Sequence, residues 1–471
     1  MSSVADDSRW REACLHDPFL RIHAAPIPRV VEIAGGLSPL SIRDQMFRAA
    51  VAVDRALEYG LIGRKHSLIV AGGSAAGVTA AIRAARQHVP TTLIEAQSHL
   101  FFRQAQCSTR YVSPTQYDWP ASHAASHRYP WDSAHPEIEL RWPATLSRAD
   151  DLAVHWTRIF ETELANRRAL SPPFLDTKCL GAYSVWPDQV AVHMSPRLDL
   201  PPASLLIFAT GLGRERCSFG GHAGFEFWDP DPYLNKRLGC VEAPRVLISG
   251  AGDGSLQDFI RIVTGMDSAM EFYRELPWLS ESQRLKLEFA VAEIESHFQR
   301  SVVWSTKSWD CDLLTRLHDG YRSLIRSLPR GFWTRLRDAI EGRIRLGVDF
   351  QELHLHYSCR HFGRCYALNQ FVVLLLSEYL RRFRGMDPLI QRSRLTKISS
   401  TNCSGGPANS CHGKTHEITL VESTTCSGVV SESARTLAAE VVVIRHGIDS
   451  DGRDIRQTVP LFMPWEQKAN V

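Results

Sequence analysis

The sequence predicts an α/β protein built from two parallel-sheet units in tandem, with a large helical insertion in the second. Three observations carry this prediction. Two short apolar runs end in glycine clusters, at 72–77 and 250–254, and a helix-favouring stretch follows each. Each unit closes on another apolar run that ends in glycine, at 205–211 and 441–447. Within the second unit, 266–347 is helix-like throughout.

The elements follow in order. Residues 41–59 place Met46, Ala49, Ala50, Val53 and Leu57 on one helical face, which predicts a helix packed on the unit that follows. A strand at 67–70, the glycine cluster, an Ala-rich helix at 78–87 and a strand at 91–94 ending on Glu95 come next. Segment 101–131 is rich in Tyr, Trp, His, Ser and Pro without a steady period and reads as a long irregular excursion. A helix is expected at 150–168, alternating strands around 185–194 and an apolar strand at 205–209. The second unit opens with a strand at 246–249, its glycine turn and a helix at 256–263. After the insertion come a strand at 353–357, a helix at 366–382 and short strands near Leu395, Ile418 and Val441, with a loop at 401–412. The stripe of Phe371, Leu374, Leu375 and Tyr379 reads as core, with a subunit contact at its rim, so a homo-oligomer is allowed. These elements divide the chain into an N-terminal helical extension (1–60), a first unit (61–240), a second unit (241–447) with its insertion (266–347) and a polar tail (448–471).

With 471 residues the chain exceeds one ordinary core, and 44% hydrophobic with 22% charged residues is a globular composition. A net charge of +3 is too small to draw the whole molecule to nucleic acid or anionic lipid. From its acidic N-terminus no export signal is expected, and the densest apolar run, 371–376, is far short of the roughly 20 residues of a membrane helix. Eleven cysteines without a repeating spacing suit reduced thiols, so a cytoplasmic location is expected. No Cys-x-x-Cys pair occurs, which removes a dithiol centre of that type.

Chemistry begins at the first glycine turn. Gly72, Gly73, Ser74, Ala75, Ala76 and Gly77 let a helix start close to its strand, with free N–H groups facing a phosphate. Glu95 lies where an acid accepts hydrogen bonds from a ribose diol. Ser74 stands in place of a middle glycine and is expected to crowd a pyrophosphate slightly.

On these residues, and on the closing run that ends in Ala209, Thr210 and Gly211, the sequence resembles the superfamily of FAD-dependent pyridine-nucleotide oxidoreductases and flavin monooxygenases. The resemblance covers 67–214 and extends more loosely to the second unit. It implies tandem Rossmann-like domains, FAD on the first, NAD(P)H on the second and a small-molecule substrate.

The second turn, Gly250, Gly252, Asp253, Gly254 and Ser255, has two readings. As G-x-G-x-x-S opening a helix, it resembles an NAD(P) turn. As a strand ending in Gly-Asp, it resembles the motif whose acid meets the flavin, and then one nucleotide is all that binds. The first reading is preferred because a meander and the run 441–447 close the unit.

Active-site candidates are fewer. Arg110, Tyr117 and Trp119, in a run with Tyr111, Asp118, His123, His127, Tyr129 and Trp131, are expected to cover a flavin ring or flat substrate, against a plainer reading as aromatics pinning a surface excursion. Among His354, His356, Cys359, His361 and Cys365 the spacing fits no zinc finger or ribbon, so no metal is assigned, and His361 is the general acid/base candidate there, with Tyr117 the other catalytic candidate. Arg322, Arg326 and Arg330 share a helical face, with Arg316, Arg335, Arg337, Arg343 and Arg345 nearby. That face can take a 2′-phosphate, an acidic partner or RNA, but it reads first as a solvated surface.

The leading expectation is a flavin-dependent oxidoreductase, monooxygenase-like or dehydrogenase-like, with NAD(P)H as donor and a small organic substrate; the missing dithiol disfavours a disulfide reductase. The alternative is an NAD(P)-binding enzyme, or a noncatalytic nucleotide sensor, without flavin. An RNA-binding scaffold ranks last.

Overall fold

The computed structural model describes residues 7–33, 41–112, 119–120, 138–143, 146–211, 213–229, 243–278, 280–302, 311–342, 350–363, 365–402, 414–426 and 429–448. The described residues form two compact units, one within Met1–Ser108 and His127–Gly213 and the other within Thr109–Ser126 and Arg214–Ile448.

Unit 1 opens with helices α1 (Ser8–His16) and α2 (Pro18–His23), strand β1 (Val30–Glu32) and helix α3 (Ile42–Glu58). The next elements are β2 (Leu68–Ala71), α4 (Ala75–Arg86) and β3 (Thr91–Ile94). Helix α5 (Phe102–Ala105), the two-residue strands β4 (Tyr111–Val112) and β5 (Ser147–Arg148) and helix α6 (Ala149–Asn166) follow, β4 lying in the other unit. The hairpin β6 (Lys178–Trp186) and β7 (Gln189–Ser195) leads to β8 (Leu205–Phe208). The sheet is parallel in the order β1-β8-β2-β3, with Leu68 opposite both Thr91 and Leu205. Leu170 and Phe174 extend its far edge beside Thr91 and Ile94.

All four residues of β2 are buried because both faces of the sheet are covered. Ile69 and Ala71 join the cluster of Ala182, Val190 and Met194 from the hairpin, and Leu68 and Val70 turn to the opposite face. Helix α3 starts where Ser41 caps the Asp44 N–H, and it buries Met46, Ala49, Ala50 and Val53 as its periodicity predicts. Strand β1 is not announced by its sequence: three residues are too few to show a period, and only pairing with β8 makes them a strand.

Unit 2 repeats the plan. Strand β9 (Arg245–Ser249) leads into α7 (Asp253–Thr264), and the insertion follows as α8 (Ala269–Arg274), α9 (Glu281–Val302), α10 (Cys311–Arg326) and α11 (Arg330–Gly342). After β10 (Glu352–His356) come α12 (Ala367–Phe383), β11 (Leu389–Ile390), an antiparallel meander of β12 (Ser393–Asn402), β13 (Lys414–Cys426) and β14 (Val429–Ala439), and finally β15 (Val441–Ile444). The parallel order is β11-β10-β9-β15. Val246 and Ile248 face the helical cluster, whereas Leu247, Val442 and Ile444 face the meander. The meander strands are longer than expected, and β14 has no counterpart among the predicted strands: its polar, Ser- and Ala-containing sequence is held by pairing along its whole length with β13.

Helix α12 is buried on every side from Ala367 to Leu380. The predicted apolar stripe is therefore part of a wider buried surface, and burying side chains such as Phe371 and Leu375 stabilises the unit by about 1.5–3 kcal/mol each. Among the described residues, no helix is long and apolar enough to cross a membrane.

Candidate nucleotide sites

In unit 1 the turn between β2 and α4 is shaped by two glycines. Gly72 has a φ of +112°, and a Cβ on it would lie 2.3 Å from the Ala209 carbonyl oxygen. A Cβ on Gly77 would lie 1.8 Å from the Gly72 carbonyl oxygen, so only glycine lets α4 approach its strand this closely. The first helical bond runs from Val78 N–H to Ser74 O at 2.9 Å. The N–H groups of Ala75, Ala76 and Gly77 therefore precede the ladder, and the Ser74 side chain does not cap them. The Ser74 hydroxyl donates instead to Ala209 O at 3.3 Å, so it turns into the chain and leaves the helix end open.

Glu95 reaches back to the same turn. Its Oε2 accepts from the Gly73 N–H at 2.5 Å and its Oε1 from the Gln97 N–H at 2.7 Å. Each oxygen keeps a lone pair for a further donor. Thr210 and Gly211 follow β8 at the same sheet edge, with Thr210 exposed.

In unit 2 the equivalent backbone contacts recur. Gly250 N–H donates to His356 O at 2.9 Å, as Gly72 N–H does to Ile94 O at 2.7 Å, and a Cβ on Gly250 would lie 2.2 Å from Arg445 O. The turn thus opens a parallel sheet of its own. A Cβ on Gly252, the position matching Ser74, would meet nothing within 4 Å. Ser255 stands where unit 1 has Gly77, and its hydroxyl donates to Gly252 O at 2.6 Å. Asp253, in the first turn of α7, accepts from Tyr366 N–H at 3.0 Å and Asn369 Nδ2 at 2.6 Å, both within unit 2.

Three side chains at the strand ends of unit 2 form a chain that sequence reasoning missed. His356 Nε2 is 2.9 Å from Ser393 O, an acceptor only, so this nitrogen carries the proton. Its Nδ1 then accepts from the Ser249 hydroxyl at 2.8 Å, and the Ser249 oxygen in turn accepts from His446 Nε2–H at 2.8 Å. Burial lowers the His356 pKa to about 4 and also lowers that of His446, with Arg216 adding to the latter, so both rings are neutral near pH 7. His446 Nδ1 is left as an acceptor at the sheet edge, where open α/β sheets bind ligands. Aligning the closing runs 205–211 and 441–447 would have placed His446 opposite Thr210.

The other candidates are dispersed. Arg110 is enclosed within unit 2, donating to Asp258 Oδ1 at 2.5 Å and Phe227 O at 2.8 Å, and Arg445 donates to Asp258 Oδ2 at 2.9 Å. Burial alone would raise the Asp258 pKa, but Arg110 and Arg445 outweigh it and hold the carboxyl below its usual range. This is an internal ion cluster and not a surface offered to substrate. Trp119 packs on Tyr273 and Phe371, at centroid distances of 5.1 and 5.5 Å, as core. His361 is buried and its Nδ1 lies 2.7 Å from Phe362 O. Tyr117, Asp118, His123, His127, Tyr129, Trp131, Arg343 and Arg345 lie outside the described residues. Cys365 donates to Ala251 O at 3.1 Å, and among the described residues no three His, Cys, Asp or Glu are grouped to hold a metal ion.

No family model matches the sequence, and no curated protein matches it. Among solved structures, the chain is similar to thioredoxin reductase of T. acidophilum, at 11% identity over 81% of this chain and 77% of that one, with a TM-score of 0.35. It is similar to bacillithiol disulfide reductase from Staphylococcus aureus at 11% identity, over 84% and 80%, with a TM-score of 0.39. An oxidized steroid monooxygenase bound to NADP is similar at 12% identity, over 84% and 74%, with a TM-score of 0.37. Identities of 11–12% and TM-scores of 0.35–0.39 assign the chain no family and no activity.

Proposed function

We propose that the chain is a flavin-dependent NAD(P)H oxidoreductase acting on a small organic substrate, with FAD on unit 1 and the nicotinamide dinucleotide on unit 2. The open N-terminus of α4 carries this reading: three N–H groups without a helical acceptor are a site for a pyrophosphate, and Glu95 stands beside them for a ribose diol. The glycine cradle fits the group, because a side chain at Gly72 or Gly77 would fill it with backbone contacts.

Bound flavin would supply hydride acceptance from NAD(P)H and onward reduction. The chain itself supplies binding and orientation. Gly73 N–H fixes Glu95 Oε2, so the carboxylate faces the nucleotide with its rotamer set. In unit 2 the backbone of the turn is held by Gly363 N–H, which donates to Ala251 O at 2.8 Å, and by Asp253 against α12. His446 offers an acceptor to a ligand hydroxyl or amide at the sheet edge.

The absorption spectrum of the purified protein is the first test. Flavin bands that bleach on anaerobic addition of NADPH or NADH support the reading. A colourless protein that takes up no added FAD overturns it in favour of a flavin-free nucleotide binder. Oxygen consumption after reduction separates monooxygenase-like from dehydrogenase-like behaviour.

A further inference from the structure

We infer that the helical insertion completes an anion site at the C-terminal end of β10, where Arg322 and Arg360, with the enclosed His318, receive a phosphate monoester such as the 2′-phosphate of an NADP-type ribose. The inference rests on the proposed assignment of a nicotinamide dinucleotide to unit 2.

The strand pairing locates the place. Ile94 and His356 are each the last residue of the second strand, paired with the residue before the glycine turn, so Tyr357 occupies in unit 2 the position of Glu95 in unit 1. An acid there favours a ribose diol and repels a 2′-phosphate, whereas an arginine nearby accommodates the phosphate. Tyr357 carries no negative charge at neutral pH: burial pushes its pKa well above the usual phenol range, and its hydroxyl accepts from Gln391 Nε2 at 2.6 Å.

Phe362 gathers the remaining groups. Its ring lies 5.1 Å from Tyr357 and 4.9 Å from His318 of α10. His318 is 2% exposed, yet neither ring nitrogen has a hydrogen-bond partner among the described residues. An imidazole always carries at least one N–H, and a buried polar group without a partner is costly, so this donor lacks its acceptor. Arg322 follows His318 by four residues, one turn along the same face of α10. It is half-buried, and its charge acts on both His318 and Tyr357. Arg326 and Arg330, which share its sequence spacing, are exposed. Arg360 is exposed and 4.0 Å from Asp319, a loose pair, and Asp387 is the acid whose charge reaches Tyr357. Two guanidinium groups whose charges both reach His318, together with its unsatisfied buried donor, suit a dianion better than a neutral hydroxyl.

Calorimetric titration of the full chain with NADPH, NADH and 2′-AMP tests this. NADPH should bind about tenfold more tightly than NADH, and Arg322→Gln should remove that difference while NADH binding stays within about twofold. Arg322→Lys should keep part of the preference, and Arg326→Gln should change nothing; matched circular dichroism and melting curves show that each variant folds. Equal affinities for NADPH and NADH, or equal weakening of both by Arg322→Gln, overturn the anion site and leave the dinucleotide assignment standing. If neither dinucleotide binds but 2′-AMP binds and loses affinity in Arg322→Gln, the anion site stands for a free phosphate monoester and the dinucleotide assignment falls. Binding of none of the three overturns both.

Discussion

The turns at Gly72 and Gly250 make the same backbone contacts and present different surfaces. In each, a glycine with positive φ lies under the carbonyl of the residue that follows the closing strand, Ala209 or Arg445. Around the first, the flanking positions are small or apolar: Ala71, Ile94, Ala209 and Thr210, with Glu95 as the one charge at the strand end. Around the second, the corresponding positions are Ser249, His356, Arg445, His446 and Tyr357. The same fold therefore offers one bare helix end and one that is surrounded by its own polar network. Backbone geometry and ligand chemistry are separable: glycines set the turn, and the residues at the strand ends set what the turn can hold.

Asp258→Leu should have the largest effect, because it leaves Arg110 and Arg445 buried without their shared carboxylate. A loss of about 3–5 kcal/mol in unfolding free energy is expected in denaturant titration. A loss below about 1 kcal/mol would show that the cluster is not what distinguishes the second unit.

Next comes pH. The His356 pKa is lowered to about 4, so between pH 4 and about 6.5 the unfolded chain binds a proton that the folded chain does not. The sign follows: this contribution is complete above about pH 6.5 and is lost as pH falls toward 4, at up to about 1.4 kcal/mol per pH unit. Thermal melts over this range should show the slope, and His356→Gln should flatten it.

The glycine contrast itself is tested by Gly77→Ala and Ser255→Gly. The first places a Cβ against the Gly72 carbonyl and should cost about 1–3 kcal/mol with loss of bound nucleotide; the second should cost at most about 1 kcal/mol. Glu95→Gln should weaken nucleotide binding on unit 1 about tenfold, read by equilibrium dialysis with FAD, since a charge-assisted acceptor becomes a neutral one. The smallest change is expected for Ser74→Gly: because the hydroxyl already turns to Ala209 O, FAD affinity should move by no more than about threefold, and a large gain would restore the crowding that the sequence suggested.

By itself the sequence determined what depends on near neighbours. The glycine spacing at 72–77 and 250–254, the apolar runs of β2, β3, β8, β9 and β15, the helical face of α3 and the helical character of the insertion are all written within a few residues, because φ, pleat and helical period are local properties. The position of Glu95 was legible for the same reason, since one strand and one helix separate it from the turn. Only the tertiary structure decided which distant side chains meet. Arg110 and Arg445 lie 148 and 187 residues from Asp258, and Ser249 lies 107 and 197 residues from its two histidines. These meetings follow from the order of strands in the sheet and from where the insertion returns the chain, and no local pattern encodes either. Arg110, whose charge and aromatic neighbours suggested a substrate contact, lies in the interior for that reason: pairing with a buried acid far along the chain gives it a place that its own neighbourhood does not reveal.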